Sequence, residues 1–350
     1  MAPRLSDFRG RDNNFNLIRM LAALLVIEAH ACAVTHRADF LRPFCGLGGG
    51  DLGVDIFFVL SGYLIAKSWT GKSWQEFAWA RIMRIYPALW VSTILSIVLV
   101  GLFFSEPGFF SRSSTLSYVW HNATMLPHFS AQTDLPGAFG TGHDFNISLW
   151  TLPYELQMYL TLAVVGVIVG LRVPYIALLA LAGACLMLHL FGPSGVPRGR
   201  FLYFFFSGAL AFVLRERITL DGRIALVLAG AVAASFFAAL AWREATLELT
   251  LPYLVLWCAY IPSGFIRLWN RLGDYSYGSY IFAHPIQMGL AAYGLTTIWW
   301  SNILASVAII LPLAALSWHF LEKRALGLPL PRVFGLSYGT PKSTARSTEP

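Results

Sequence analysis

An arginine, a histidine and several carboxylates stand inside stretches that are otherwise almost wholly apolar. The first such stretch, 16–34, carries Arg19, Glu28 and His30. Ionisable side chains are costly in an apolar medium, so each is a functional candidate. Arg19 and His30 are eleven residues apart. On a helix that separation returns to within about 20° of the same direction and covers roughly 16 Å along the axis. The two share a face, and Glu28 points about 160° away from His30. A neutral imidazole can act as a general base on a hydroxyl or accept an acyl group as a nucleophile. It can equally be an interhelical packing residue, as Arg19 can be a cation snorkelling to lipid headgroups.

Four more segments carry polar groups of the same kind. The stretch 52–69 opens on Asp51 and Asp55, one helical turn apart, and runs on to Ser61-Gly62. Asp55 could pair with His30 or simply be an acid favoured at a helix N-terminus. Ser61-Gly62 would allow close approach of a neighbouring helix or a ligand. Arg81 and Arg84, three residues apart, could project together toward phosphates, or serve only as topogenic charges. Around 147–170, Trp150, Tyr154, Glu155, Gln157 and Tyr159 combine an aromatic belt with a carboxylate. In the run from Tyr275, His284-Pro285 sets a histidine beside a helix-kinking proline. The hydrophilic loop at 105–146 holds His121, His128, Asp134, His143 and Asp144, in no metal-ligand spacing. No metal site is expected. G-x-S-x-G, a phosphate-binding Gly-Lys loop, a dinucleotide fingerprint and HExxH are absent from the sequence.

The elements that must position these groups are membrane helices. Of the 350 residues 57% are hydrophobic and only 12% charged, where soluble domains carry roughly 25%. Hydropathy predicts an all-α polytopic membrane protein of about ten transmembrane helices, at 16–34, 52–69, 87–104, 147–170, 174–191, 201–214, 224–241, 247–262, 275–292 and 297–320. The domains expected are a short cytoplasmic segment 1–15, a membrane domain 16–324 and a disordered cytoplasmic tail 325–350, rich in Pro, Ser, Thr and Gly. Ala29-His30-Ala31 fits a signal-cleavage pattern, but Glu28 and His30 interrupt the apolar run, and an uncleaved span is expected. With ten spans and cytoplasmic termini, the inner loops hold eighteen Lys and Arg and the outer loops six, Arg19 completing the 25. That bias explains the net charge of +7 without nucleic acid. Four scattered cysteines imply neither disulfides nor zinc.

Taken in order, the segments resemble the membrane acyltransferase family 3. The resemblance rests on Arg19 with His30, Gly53-Val-Asp55 through Ser61-Gly62, Arg81-x-x-Arg84-Ile-Tyr-Pro87, Ser148-Leu-Trp150 leading to Glu155, the tyrosine-rich run to His284-Pro285, and Glu322-Lys323. It covers residues 13–324. Pro153 departs from the fourth motif, and the esterase-like extracytoplasmic domain appended in some members is not expected after the tenth span.

The resemblance implies an acyl-CoA-dependent O-acyltransferase of the cell inner membrane. Acetyl-CoA would be the donor and a hydroxyl of a carbohydrate or glycolipid, such as a surface polysaccharide unit, the acceptor. Arg81 and Arg84 would hold the coenzyme A phosphates, with Arg19 and Ser61 further along the donor. His30 would be general base or transient acyl carrier, Asp55 or Glu155 would fix its tautomer, and Trp150, Tyr154 and His284 would face the acceptor. The rival expectation is a transporter or flippase of a lipid-linked sugar, because intramembrane His, Asp and Glu also serve proton relays.

Overall fold

The computed structural model describes residues 2–331 apart from 9, 11, 46, 104–106, 126–130, 136, 137, 139–144, 169–181 and 184–197. The expected span 174–191 apart from Ala182 and Gly183, loop residues His128, His143 and Asp144, Cys185 and the tail beyond 331 lie outside the described residues.

Helices dominate, as the apolar runs dictate. In chain order the main ones are α1 (Phe15–Val34), α2 (Gly49–Trp69), α3 (Trp74–Phe103), α4 (Ser113–Thr124), α5 (Leu152–Ile168), α6 (Arg198–Val213), α7 (Gly222–Ser235), α8 (Leu240–Tyr260), α9 (Ser276–Ala292) and α10 (Trp299–Leu316). The last continues through a π-helical turn, Ser317–Glu322, into Lys323–Leu326. Local chemistry sets the starts. Asn13 Oδ1 accepts the Phe15 amide of α1 at 3.1 Å. Asp51 reaches back to the Gly48 amide at 3.2 Å to cap α2. Asp221 caps α7 through the Arg223 amide at 2.7 Å. An isolated antiparallel bridge joins Arg4 with Thr219.

The expectation of about ten transmembrane helices is corrected here. Among the described residues four helices are long and apolar enough to cross a membrane: Phe15–Val34, Gly49–Trp69, Trp74–Phe103 and Trp299–Leu326. A fifth is counted only if Leu240–Tyr260 and Phe265–Leu272, bent by 85°, form one span. The α7 segment makes a helix of 14 residues, and α9 has 17. At 1.5 Å per residue these reach about 21–26 Å, short of a hydrocarbon core of about 30 Å. Hydropathy counted them because side chains packed against protein are as apolar as those facing lipid. The triplet Phe204-Phe205-Phe206 on α6 is wholly buried. The protein remains a multi-pass membrane protein, and α3 and α7 carry exposed Leu99, Leu102, Leu226 and Val227 on their outer faces.

Two packing relations position the site. α1 lies between α2 and α9, and α9 packs on α10. The most extensive pairing is α2 with α6, made by glycines at the crossing. A Cβ at Gly62 would collide with the Phe205 carbonyl, and one at Gly208 with the Val59 carbonyl. Backbone therefore rests on backbone. Gly62→Val should force the helices apart and cost about 2–3 kcal/mol. Thermal unfolding of the detergent-solubilised protein should show a drop of several degrees; an unchanged transition would mean the crossing is looser than described.

Candidate active site

Four charged side chains from distant parts of the chain meet at one end of the bundle. Asp274 precedes α9, and its Oδ2 accepts Arg19 Nη1 at 2.7 Å and Arg84 Nη2 at 2.6 Å. Arg84 also reaches Glu322 Oε2 at 3.3 Å, and Ser317 Oγ donates to Glu322 Oε1 at 2.8 Å. Ser276 Oγ donates to the other Asp274 oxygen. Two guanidinium groups thus face two carboxylates. Burial alone would raise the Asp274 carboxyl above its ordinary 3.8, but Arg84, Arg19 and the Ser276 hydrogen bonds outweigh it and hold it at about 2. Gly273, at φ 130°, makes the turn into Asp274. A Cβ there would run into the Trp318 ring, which lies 6.0 Å from the Arg84 guanidinium, with Tyr277 at 5.5 Å.

Arg81 is placed differently. Its guanidinium lies 5.7 Å from the Phe77 ring and 5.8 Å from that of Tyr159. Its Nε is buried without an acceptor, and no ion pair joins it to a carboxylate among the described residues. The hydroxyl of Tyr159 donates instead to Glu155, one turn away. Arg81 therefore has no direct ion pair among the described residues, Glu155 acting on it only at longer range.

The arginines sit where two cavities meet. A vestibule includes Lys67, Arg81, Tyr159 and Asp274 in its walls. A narrower inner cavity is bounded by Phe57, Thr151, Glu155 and Tyr280, among others. Arg19, Ser61 and Arg84 line both and form the neck between them. At the far wall Thr151 and Tyr280 share a hydrogen bond of 2.7 Å.

One turn beyond Tyr280, His284 meets His30, the rings perpendicular with centroids 5.0 Å apart. His284 Nδ1 lies 2.9 Å from the Phe145 carbonyl, while His30 Nδ1 is buried without a partner. α1 and α9 run parallel, so Arg19 matches Asp274 at one end of the face and His30 matches His284 near the other.

The expected site residues fall into three groups. Arg19, Ser61, Arg84 and Glu155 share the inner cavity, with Arg81 in the vestibule. His30 and His284 form a pair. Asp55 is turned elsewhere: wholly buried, it pairs with Arg200, whose Nε lies 3.1 Å from Asp55 Oδ2. Glu155 is held by Tyr159, so neither carboxylate considered as an orienting group is seen against His30. Trp150 and Tyr154 pack edge-on or tilted against each other and against Phe201 at 5.5–5.9 Å between centroids. Asp274 and Arg200 are additions from the structure. A signal for Asp274 was available: two membrane-embedded arginines need anions, and Gly273-Asp274 stands just before a tyrosine-rich helix. Among the described residues no cluster of His, Cys, Asp and Glu could hold a metal ion.

Residues 12–321 match the acyltransferase-domain family Acyl_transf_3. The chain belongs to this acyltransferase family. It is 29% identical to an O-acetyl transferase of Shigella phage Sf6, over 92% of this chain and 98% of that protein. It is 28% identical to nodulation protein 10 of Rhizobium leguminosarum bv. viciae, over 94% and 97%. A peptidoglycan O-acetyltransferase, OatA of Listeria monocytogenes, is 29% identical over 41% of this chain and 22% of its own length. No solved structure matches. The acyltransferase is thus an O-acetyltransferase embedded in a membrane.

Removing the carboxylate that joins two arginines should be severe. Asp274→Asn leaves two buried cations with one anion and should cost about 3–5 kcal/mol, read as lost thermal stability together with lost activity. Because the carboxyl is depressed from 3.8 to about 2, its contribution is present in full above about pH 4 and disappears as pH falls through about 2. The stability difference between wild type and Asp274→Asn should be flat from pH 5 to 8; a difference that titrates within that range would contradict the ion-pair description.

Proposed function

We propose that this acyltransferase moves the acetyl group of acetyl-CoA to a hydroxyl of a cell-surface carbohydrate polymer, with His30 as general base. The observation that carries the proposal is the continuous path from a vestibule holding the unpaired Arg81, through a neck of Arg19, Ser61 and Arg84, to a cavity ending one turn from the His30–His284 pair.

The charge arrangement suits the donor. Coenzyme A is polyanionic at its nucleotide end and neutral along its pantetheine arm. Arg81 and the exposed Lys67 are cations in the wide part of the path. Arg19 and Arg84, neutralised by Asp274 and Glu322, stand where the neutral arm would pass. The acceptor hydroxyl gives its proton to His30 as its oxygen attacks the thioester carbonyl. The carbon–sulfur bond then breaks, and the departing sulfur takes the proton back from the imidazolium. Acceptors of this kind are favoured because relatives include a peptidoglycan O-acetyltransferase.

In the orientation proposed, the vestibule opens to the cytoplasm across the inner membrane. The N-terminal segment pairs there with 215–220, Arg267 binds Asp12, and Lys67 joins them, so one end of the bundle gathers the basic residues. Acetyl-CoA would enter from this side and the acceptor from the other.

The test is coenzyme A release by purified protein in nanodiscs, with acetyl-CoA and candidate glycans. His30→Ala should lower kcat by at least about 100-fold. Arg81→Ala should raise KM for acetyl-CoA by about 10- to 100-fold, the value of charge-assisted phosphate hydrogen bonds, with a smaller change in kcat. Turnover by His30→Ala at the wild-type rate would remove His30 from the chemistry, and an unchanged KM in Arg81→Ala would place the phosphates elsewhere.

A further inference from the structure

The histidine beside His30 is held by a clamp whose origin is a proline. Pro285 lies inside α9. Having no N–H, it cannot donate to the carbonyl four residues earlier, that of Ile281. The Ile281 carbonyl is buried in the bundle, where an unpaired acceptor is costly. Two side chains from other elements supply it: Asn146 Nδ2 donates to it at 3.1 Å and Ser92 Oγ, from α3, at 3.3 Å. Asn146 is 1% exposed. Its bond staples the segment preceding α5 onto the kinked turn of α9.

That staple brings the neighbouring carbonyl to the histidine. Phe145 is adjacent to Asn146, and both amides donate to the Thr133 carbonyl, at 2.8 and 2.9 Å. The Phe145 ring packs edge-on against Tyr118. So fixed, the Phe145 carbonyl stands 2.9 Å from His284 Nδ1. A carbonyl can only accept, so Nδ1 carries the hydrogen and the ring is committed to one tautomer. The same ring meets His30 at right angles. The carboxylates that might have oriented His30 are engaged elsewhere: Asp55 with Arg200, Glu155 with Tyr159, and Glu28 with Cys32 and the Phe40 amide.

We propose that His284 is the positioning residue for His30, and that Pro285 and Asn146 exist to set it: the proline releases the Ile281 carbonyl, Asn146 binds it, and the Phe145 carbonyl thereby fixes the His284 ring against the base. The inference rests on His30 being the general base. His284 takes the place of the acidic member of a hydrolytic triad in one respect, holding the imidazole in position.

Steady-state kinetics and thermal unfolding of four variants in nanodiscs test this. His284→Phe, which keeps an aromatic ring but neither nitrogen, should lower kcat about 100-fold with KM for acetyl-CoA within about twofold, the size of effect expected for a misplaced catalytic group. Pro285→Ala restores the N–H and gives Ile281 an intrahelical partner in competition with Asn146. It should hold or raise the unfolding temperature while lowering kcat about tenfold, a combination that a merely structural proline would not give. Asn146→Ala should lower kcat in the same direction. His284→Phe with wild-type kcat overturns the proposal, as does a Pro285→Ala protein that is fully active, or a loss confined to KM. If His284→Phe does not fold, Pro285→Ala and Asn146→Ala decide alone. His30→Ala, run alongside, separates the failures: an active His30→Ala refutes the base itself, whereas an inactive His30→Ala beside an active His284→Phe refutes only the positioning role.

Discussion

Two arginines cannot stand in the interior of a helical bundle without anions, and the cost of getting this wrong exceeds most other single terms in the fold. Here one oxygen of Asp274 receives both Arg19 and Arg84, and Glu322 receives the second nitrogen of Arg84. The arrangement ties together α1, α3, the turn before α9 and the π-helical end of α10. It also settles which cations remain available. With Arg19 and Arg84 neutralised, the vestibule cations without a direct ion pair among the described residues are Lys67 and Arg81, the latter held between two aromatic faces.

α1 and α9 form the working axis. They run parallel, joined at one end by Arg19 and Asp274 and near the other by His30 and His284. Between these points Ser279 Oγ meets Met20 Sδ at 3.8 Å, and Gln287 Nε2 donates to the Ile27 carbonyl at 2.8 Å. The separation of the ion cluster and the histidine pair along one face is thus maintained by direct interhelical contact rather than by loops. α2 supplies Ser61 at the neck, and its backbone seat on α6 limits how far that residue can shift.

Much of this was legible from residue type and spacing. Helical periodicity put Arg19 and His30 on one face; Arg19 lines the inner cavity with Ser61, Arg84 and Glu155, while His30 packs against His284 outside that lining. The partners were less legible, because pairing across 100–250 residues leaves no local trace. Asp55 was a reasonable companion for His30, but the structure pairs it with Arg200, 145 residues further on and 8% exposed. The number of spans was overcounted for a related reason: hydropathy registers that Phe204-Phe205-Phe206 avoid water, not whether lipid or protein replaces it.

The ion cluster also imposes an order on biosynthesis. Arg19 precedes Asp274 by 255 residues, and Arg84 precedes Asp274 by 190 and Glu322 by 238. A chain inserted from its N-terminus exposes both arginines long before either counter-ion has been made. During that interval the early helices are held only provisionally, with guanidinium groups drawn to headgroups or water. Synthesis of the last quarter of the protein therefore both completes the ion cluster and releases the first helices to take up their final depth, so that a ribosome stalling before Asp274 would leave in the bilayer a fragment marked for quality control by its own unpaired charges.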